Sequence, residues 1–271
     1  DRARTEMADL GVDVLLLSVG ADLPYFCGYE AMPLERLTLL VVPVDGEARL
    51  LVPGLEAPRV VERPGVFDLV PWGDGEDPVA RAVSLIGPSE VAAVGDQMWA
   101  GFLVDLTGAL PSTRFVRASE VTAPIRSIKD GLEVEALRAA GAAVDRIAAD
   151  LQAGAVPLVG RTEAEVAAQI GARILDEGHY RVNFVIVASG ENAASPHHEP
   201  GSRVIRPDEG VLFDFGGTMA DVDGVGYCSD ITRCVHIGEP PTEFGELYDV
   251  LFASQAAGVV TATVGTPCED V

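Results

Sequence analysis

Residues 210–217, Gly-Val-Leu-Phe-Asp-Phe-Gly-Gly, put a carboxylate inside an otherwise apolar run that reads as a β-strand. The next strand-like run, Tyr227–Ile237, carries a second carboxylate, Asp230. An antiparallel hairpin of the two would set Asp214 and Asp230 side by side, with Cβ atoms about 5 Å apart. Two carboxylates that close repel strongly unless a cation lies between them. Hard oxygen ligands suit Mn²⁺, Mg²⁺ or Zn²⁺. On the residues alone an alternative stays open, in which Asp214 caps a turn and Asp230 pairs with Arg233.

The neighbouring residues narrow the chemistry. Asp221-Val222-Asp223-Gly224, between the two strands, has the start of a calcium loop but lacks its third acidic position and terminal Glu, and reads as a solvated hairpin tip. Taken as one strand, 227–236 aligns Cys228, Asp230, Thr232, Cys234 and His236 on one face. Next-but-one residues already lie about 6.6 Å apart, so such a strip cannot converge on one ion, and only Asp230 is kept as a ligand. The two cysteines read as small buried hydrophobes. Gly190–His198 is a loop after a strand, in which adjacent His197 and His198 must point in different directions. At most one of them faces a given site. Ser195 lacks nucleophile-elbow glycines, which argues against a serine hydrolase.

Around this hairpin the chain divides in two. Up to residue 123, strands at Val12–Leu17, Leu37–Val42, Ala48–Val52, Val91–Val94 and Arg114–Val116 alternate with helical segments near 76–86 and 97–109. The short apolar run at 12–17 fits a strand buried on both faces, and Asp45-Gly46 marks a hairpin. This predicts a small mixed α/β domain over 1–123, with no cofactor fingerprint. From 124 the pattern changes. A helix over Asp130–Gln152 carries Val134, Leu137, Val144, Ile147 and Leu151 on one face. A second opens with the capping box Thr162/Glu165 and the stripe Val166, Ile170, Ile174. Strands follow at Asn183–Ala188, Gly210–Gly217 and Tyr227–Ile237, then a helix from Thr242 expected to turn Phe244, Leu247, Leu251 and Val259 inward.

The formal charge of −23 repels phosphate backbones and argues against a general nucleic-acid binder. No apolar run reaches about 18 residues, so no spanning helix is expected, and the start has no apolar signal segment. Four cysteines do not make a disulfide scaffold, which suggests a reducing cytoplasm.

Several segments, in order, resemble the pita-bread metallopeptidase family of Xaa-Pro aminopeptidases, prolidases and methionine aminopeptidases. They are Asp22–Tyr29; Ile125–Asp130 with Glu133, Leu137 and Arg138; Ser189–Asn192 through His197; Asp214-Phe215-Gly216; and Ser229–Arg233. The likeness covers nearly the whole chain and points to the prolyl-specific branch. It implies an α/β chain: a creatinase-like N-terminal α/β domain over 1–123, then the first half of an α+β pita-bread domain over 124–271. It further implies that Asp214 chelates one metal ion, Asp230 bridges two, and His197 stabilises the oxyanion beside the scissile bond. Two divalent ions, Mn²⁺ foremost with Zn²⁺ or Co²⁺ as alternatives, would then supply a bridging hydroxide.

Against the family pattern, residues 219–225 form an extended hairpin tip. The family's further His and two Glu ligands have no counterpart after Asp230, so the chain reads as truncated within that domain. The expected activity of the complete form is hydrolysis of the Xaa-Pro bond of peptides or dipeptides by a cytoplasmic homodimer, without nucleic-acid or membrane partners. Two alternatives share the fold: a hydrolase of other C–N bonds in a small metabolite, and a non-catalytic binding module.

Overall fold

A computed structural model describes residues 1–271. The chain forms two compact units, Asp1–Ala136 with Ala220–Gly226, and Leu137–Met219 with Tyr227–Val271.

The first unit contains β1 (Val14–Leu17), β2 (Leu39–Pro43), β3 (Arg49–Pro53), β4 (Asp68–Trp72), β5 (Val91–Val94) and β6 (Arg114–Arg117), in the sheet order β4-β3-β2-β1-β5-β6. The pairs β1/β2 and β2/β3 are antiparallel, and β1/β5, β5/β6 and β3/β4 are parallel. Helices α1 (Arg2–Leu10), α2 (Asp22–Cys27), α3 (Pro78–Ile86), α4 (Ala100–Ala109) and α5 (Ser119–Ser127) accompany it. The side chains of β1 alternate between two cores. Leu15 and Leu17 pack with Met7, Leu23, Val121 and Ile125, whereas Val14 and Leu16 pack with Ala82, Ile86 and Leu106. That double burial is what the uninterrupted apolar run predicts. Short α2, β4 and α5 were not anticipated from sequence; α5 runs through Pro124, which reads locally as a breaker.

The second unit is a helix pair on a sheet. Helices α6 (Gly131–Gln152) and α7 (Glu163–Asp176) cover one face of β7 (Arg181–Ser189), β8 (Gly210–Ala220) and β10 (Ile231–His236), in the order β10-β8-β7; β9 (Gly226–Cys228) also pairs with β8. Val144, Ile147 and Leu151 meet Val166, Ile170 and Ile174 over Val187, Val211, Phe213 and Phe215. Because strand side chains alternate, burying the odd residues of β8 under the helices turns Leu212 and Asp214 to the opposite face. The capping box at Thr162 and Glu165 forms as predicted.

Two expectations are corrected here. Tyr227–Ile237 is not one strand: it breaks at Ser229-Asp230. Helix α8 (Thr242–Thr261) buries no residue, and Leu247, Leu251 and Val259 are all exposed. Its first turn meets the sheet, where Phe244 stands edge-on to His236 at 5.2 Å, and Phe244 also stacks on Tyr248 one turn along the helix at 6.4 Å. Periodicity marks which residues share a face, but a face is buried only where another element covers it.

Candidate metal centre

The two carboxylates come from β8 and the break between β9 and β10. In the β8/β10 register Thr232 lies opposite Asp214 and Ile231 opposite Phe215. Asp230 therefore falls beside Gly216, offset from Asp214 rather than directly across from it. The residue facing Asp214 is Thr232, whose hydroxyl donates to Asp214 Oδ1 at 2.8 Å. Asp214 sits mid-strand and caps no turn. Arg233 reaches Asp145 at 3.9 Å and donates to the Thr232 carbonyl, so the expected alternative pair with Asp230 does not form.

The Gly216-Gly217 pair makes the close approach possible. A Cβ on Gly216 would lie 2.0 Å from the Ser229 carbonyl oxygen and 3.2 Å from Asp230 Cα; one on Gly217 would meet Arg181 O and Ile174 Cγ2 at 2.7 Å. Only glycine leaves room for that crossing of backbone. Buried Ser229 then locks the bend: its N–H donates to Gly217 O at 2.9 Å, and its Oγ accepts from Gly217 N–H at 3.2 Å.

His179 holds Ser229 from behind. Its Nδ1 lies 3.2 Å from the Ile174 carbonyl and its Nε2 2.9 Å from Ser229 Oγ. A carbonyl can only accept, so Nδ1 carries the proton and Nε2 accepts from the serine hydroxyl. Burial lowers the His179 pKa below 6.5, with the Ile174 carbonyl and Glu177 opposing the shift. A neutral imidazole is thus built into the support of Asp230, a role that sequence inspection missed because its partner lies 50 residues away.

Asp230 itself has a raised pKa, first through lost hydration and second through the negative charge of Asp214. A bound cation would relieve that repulsion. The two carboxylates, one oriented by Thr232, offer hard oxygen donors that fit part of the coordination sphere of a divalent ion. No group of three or more His, Cys, Asp or Glu side chains is arranged to hold a metal ion. Neither cysteine of the strip joins them. Cys228 is exposed, beside Asn183 and Thr218, contrary to the buried role expected of it, and Cys234 is half-buried.

His197 stands in the loop that leaves β7 after Ser189. Ser189 pairs with Val211, roughly 10 Å along β8 from Asp214. His197 is exposed, with a left-handed backbone at φ 57°. His198, by contrast, turns inward, with its Nε2 2.8 Å from Glu163 Oε2. The two adjacent histidines do diverge. Glu163 is fully buried at the start of α7; from sequence it reads only as one of two acidic residues in a first helical turn, and nothing local marks it as interior.

Comparison with known proteins follows the same two-part division. The pattern of Metallopeptidase family M24 matches residues 134–271, and that of the Creatinase/Prolidase N-terminal domain matches residues 1–128. A probable dipeptidase PepE of Mycobacterium tuberculosis is 39% identical over 276 residues, covering 99% of this chain and 71% of the relative. The crystal structure of dipeptidase PepE from Mycobacterium ulcerans superposes with a TM-score of 0.84 at 37% identity, over 95% of this chain and 69% of that one. A prolidase from Thermococcus sibiricus gives a TM-score of 0.85 at 30% identity, over 95% and 70% respectively.

Proposed function

The chain belongs to metallopeptidase family M24, behind a creatinase/prolidase N-terminal domain, and we propose that it acts on the Xaa-Pro bond of peptides or dipeptides. In this reading Asp214 and Asp230 hold divalent metal, Mn²⁺ foremost, and His197 stands beside the scissile bond. The observation that carries it is the engineered closeness of two carboxylates: a double-glycine crossing, a serine lock and a buried neutral histidine all serve to seat Asp230 near Asp214. Nothing in simple packing calls for that expense of like charge. The prolidase and dipeptidase names of the similar proteins support the substrate class.

When bound, divalent metal would supply Lewis acidity toward a peptide carbonyl and an attacking water. The chain's own residues do the rest. Thr232 fixes one oxygen of Asp214, so that carboxylate presents a defined orientation. Ser229 and His179 fix the backbone of Asp230. The exposed His197 imidazole, a donor in either ionisation state, would stabilise negative charge developing on the carbonyl oxygen. We further propose a cytoplasmic homodimer; no helix is long and apolar enough to cross a membrane.

The test compares Xaa-Pro dipeptides with proline-free ones, in protein from the complete reading frame, before and after chelation and Mn²⁺ restoration. Proline-dependent hydrolysis, lost with chelator and lowered more than about 100-fold by D214N or D230N, is expected, since even supporting residues of metal sites contribute 10- to 100-fold. Added Mn²⁺ should also protect the parent against unfolding, by about 2.7 kcal/mol at a hundredfold excess over Kd, and should not protect D230N. Activity that survives both chelation and D230N sinks the proposal.

A further inference from the structure

We propose that Glu163 is a positioning residue for the loop that presents His197, holding it through His198, Ser189 and Asn192. The proposal rests on the role assigned to His197 above. The Glu163 side chain is fully buried and collects hydrogen bonds from almost the whole length of the loop. Oε1 accepts from Ser189 N at 2.8 Å, Ser189 Oγ at 2.7 Å and Asn192 Nδ2 at 3.1 Å. Oε2 accepts from Asn192 Nδ2 at 3.1 Å and Gly201 N at 3.5 Å, and lies 2.8 Å from His198 Nε2. One carboxylate thus ties the beginning, the middle and the end of the segment 189–201.

Three further features show that this is a built anchor. Glu163 and Ala164 donate their backbone N–H groups to Arg203 O and Gly201 O, each at 3.0 Å, so the first turn of α7 is zipped to the loop's exit. Ser189 Oγ also accepts from Arg203 Nη1 at 2.6 Å, and Arg203 clasps Glu209 and Glu191 at 2.7–2.8 Å. Finally, the carboxyl of Glu163, which burial alone would push up, is drawn down to about 2 by the bonds from His198, Ser189 and Asn192. An unpaired buried carboxylate would be expelled or neutralised; this one is fully satisfied and stays ionised.

The consequence reaches His197 through its neighbour. A non-glycine residue at φ 57° persists only where its surroundings over-determine it. With the His198 ring held on Glu163, the backbone next to His197 is restrained, while the His197 side chain itself stays exposed. The cost of losing the anchor is therefore positional: His197 would still be present but would sample many directions.

The experiment uses E163Q, E163D, H198A, H197A and the E163Q/H197A double variant in protein from the complete reading frame, with Xaa-Pro hydrolysis and amide hydrogen exchange of residues 189–201 as readouts. E163Q is expected to lower kcat by about 10- to 100-fold, the scale of a misplaced catalytic group, with KM changed little. E163D should recover part of that loss. The double variant should be no slower than H197A alone, because both act through one group. Exchange in 189–201 should accelerate in E163Q and H198A while that of β8 does not. If E163Q and H197A multiply, or if folded E163Q and H198A keep parental kcat and loop protection, Glu163 does not position His197. If H197A keeps parental kcat, the role of His197 fails; the exchange data still judge the anchor by themselves. Should E163Q not fold, H198A, which removes one donor and leaves the carboxylate, decides the matter by the same two readouts.

Discussion

At Gly216 a single hydrogen atom in place of a side chain lets the Ser229 carbonyl pass. G216A would place a methyl 2.0 Å from that oxygen, so the bend that seats Asp230 must open or the strand must shift. We expect a loss of about 3 kcal/mol or more, in the range of severe core disruptions, read as a lower urea midpoint, with weakened Mn²⁺ protection of whatever remains folded. Parental stability in G216A would show that the crossing is not constrained. His179 makes a prediction in pH. Its folded pKa is lowered, so the unfolded chain binds the extra proton first. Stability is unaffected well above 6.5 and falls as pH drops through that value, with a slope of up to about 1.4 kcal/mol per pH unit. Glu163 acts in a separate window: its carboxyl contributes stability above 4.5 that is lost as pH falls toward about 2. Urea titrations from pH 7.5 to 5 should show the first slope in the parent and not in H179N; an unchanged slope in H179N assigns it elsewhere. Neither residue announces itself in sequence, because the meaning of each depends on a partner brought by folding.

Helix and strand patterns were legible where one element carries its own reason. The box at Thr162 and Glu165 and the stripe Val166, Ile170, Ile174 are set by neighbours within four residues, and both hold. The break at Ser229-Asp230 was not legible, since it is imposed by Gly216, Gly217 and His179 from other elements. Helix α8 is the reverse case, with apolar residues at helical spacing that find no cover. Its Leu247, Leu251 and Val259 are 60–73% exposed. The triple substitution to Glu in the 271-residue chain should therefore cost less than about 0.5 kcal/mol per site, and should lower the binding of an apolar dye such as ANS that is expected of the parent chain. A large loss of stability would mean that these side chains are buried after all, as periodicity alone suggests. At the start of α7 the two principles meet: local capping chemistry builds the helix end, and that end then hands Glu163 to a loop it could not have specified.

At the scale of the molecule, the change from a mixed strand-and-helix pattern to two helices followed by strands could be read directly, whereas short α2, β4 and α5 could not. Continuous apolar runs announce strands buried twice over, alternating ones announce strands with one covered face, and both are short-range properties of the chain. The segments that resemble the family, those around Asp214 and Asp230 among them, were enough to identify it, and the match over residues 134–271 bears that out. What sequence determined by itself is thus most of the inventory: the longer strands and helices, the strand that carries Asp214, and the family that owns the pattern. Tertiary structure alone decided the arrangement: that Thr232, not Asp230, faces Asp214; that a neutral histidine braces the serine beneath Asp230; that a buried glutamate restrains the His197 loop. The reason is one of range. Backbone preference and periodicity act over a few residues, whereas hydration loss, charge repulsion and hydrogen-bond satisfaction are settled between groups that only folding brings together.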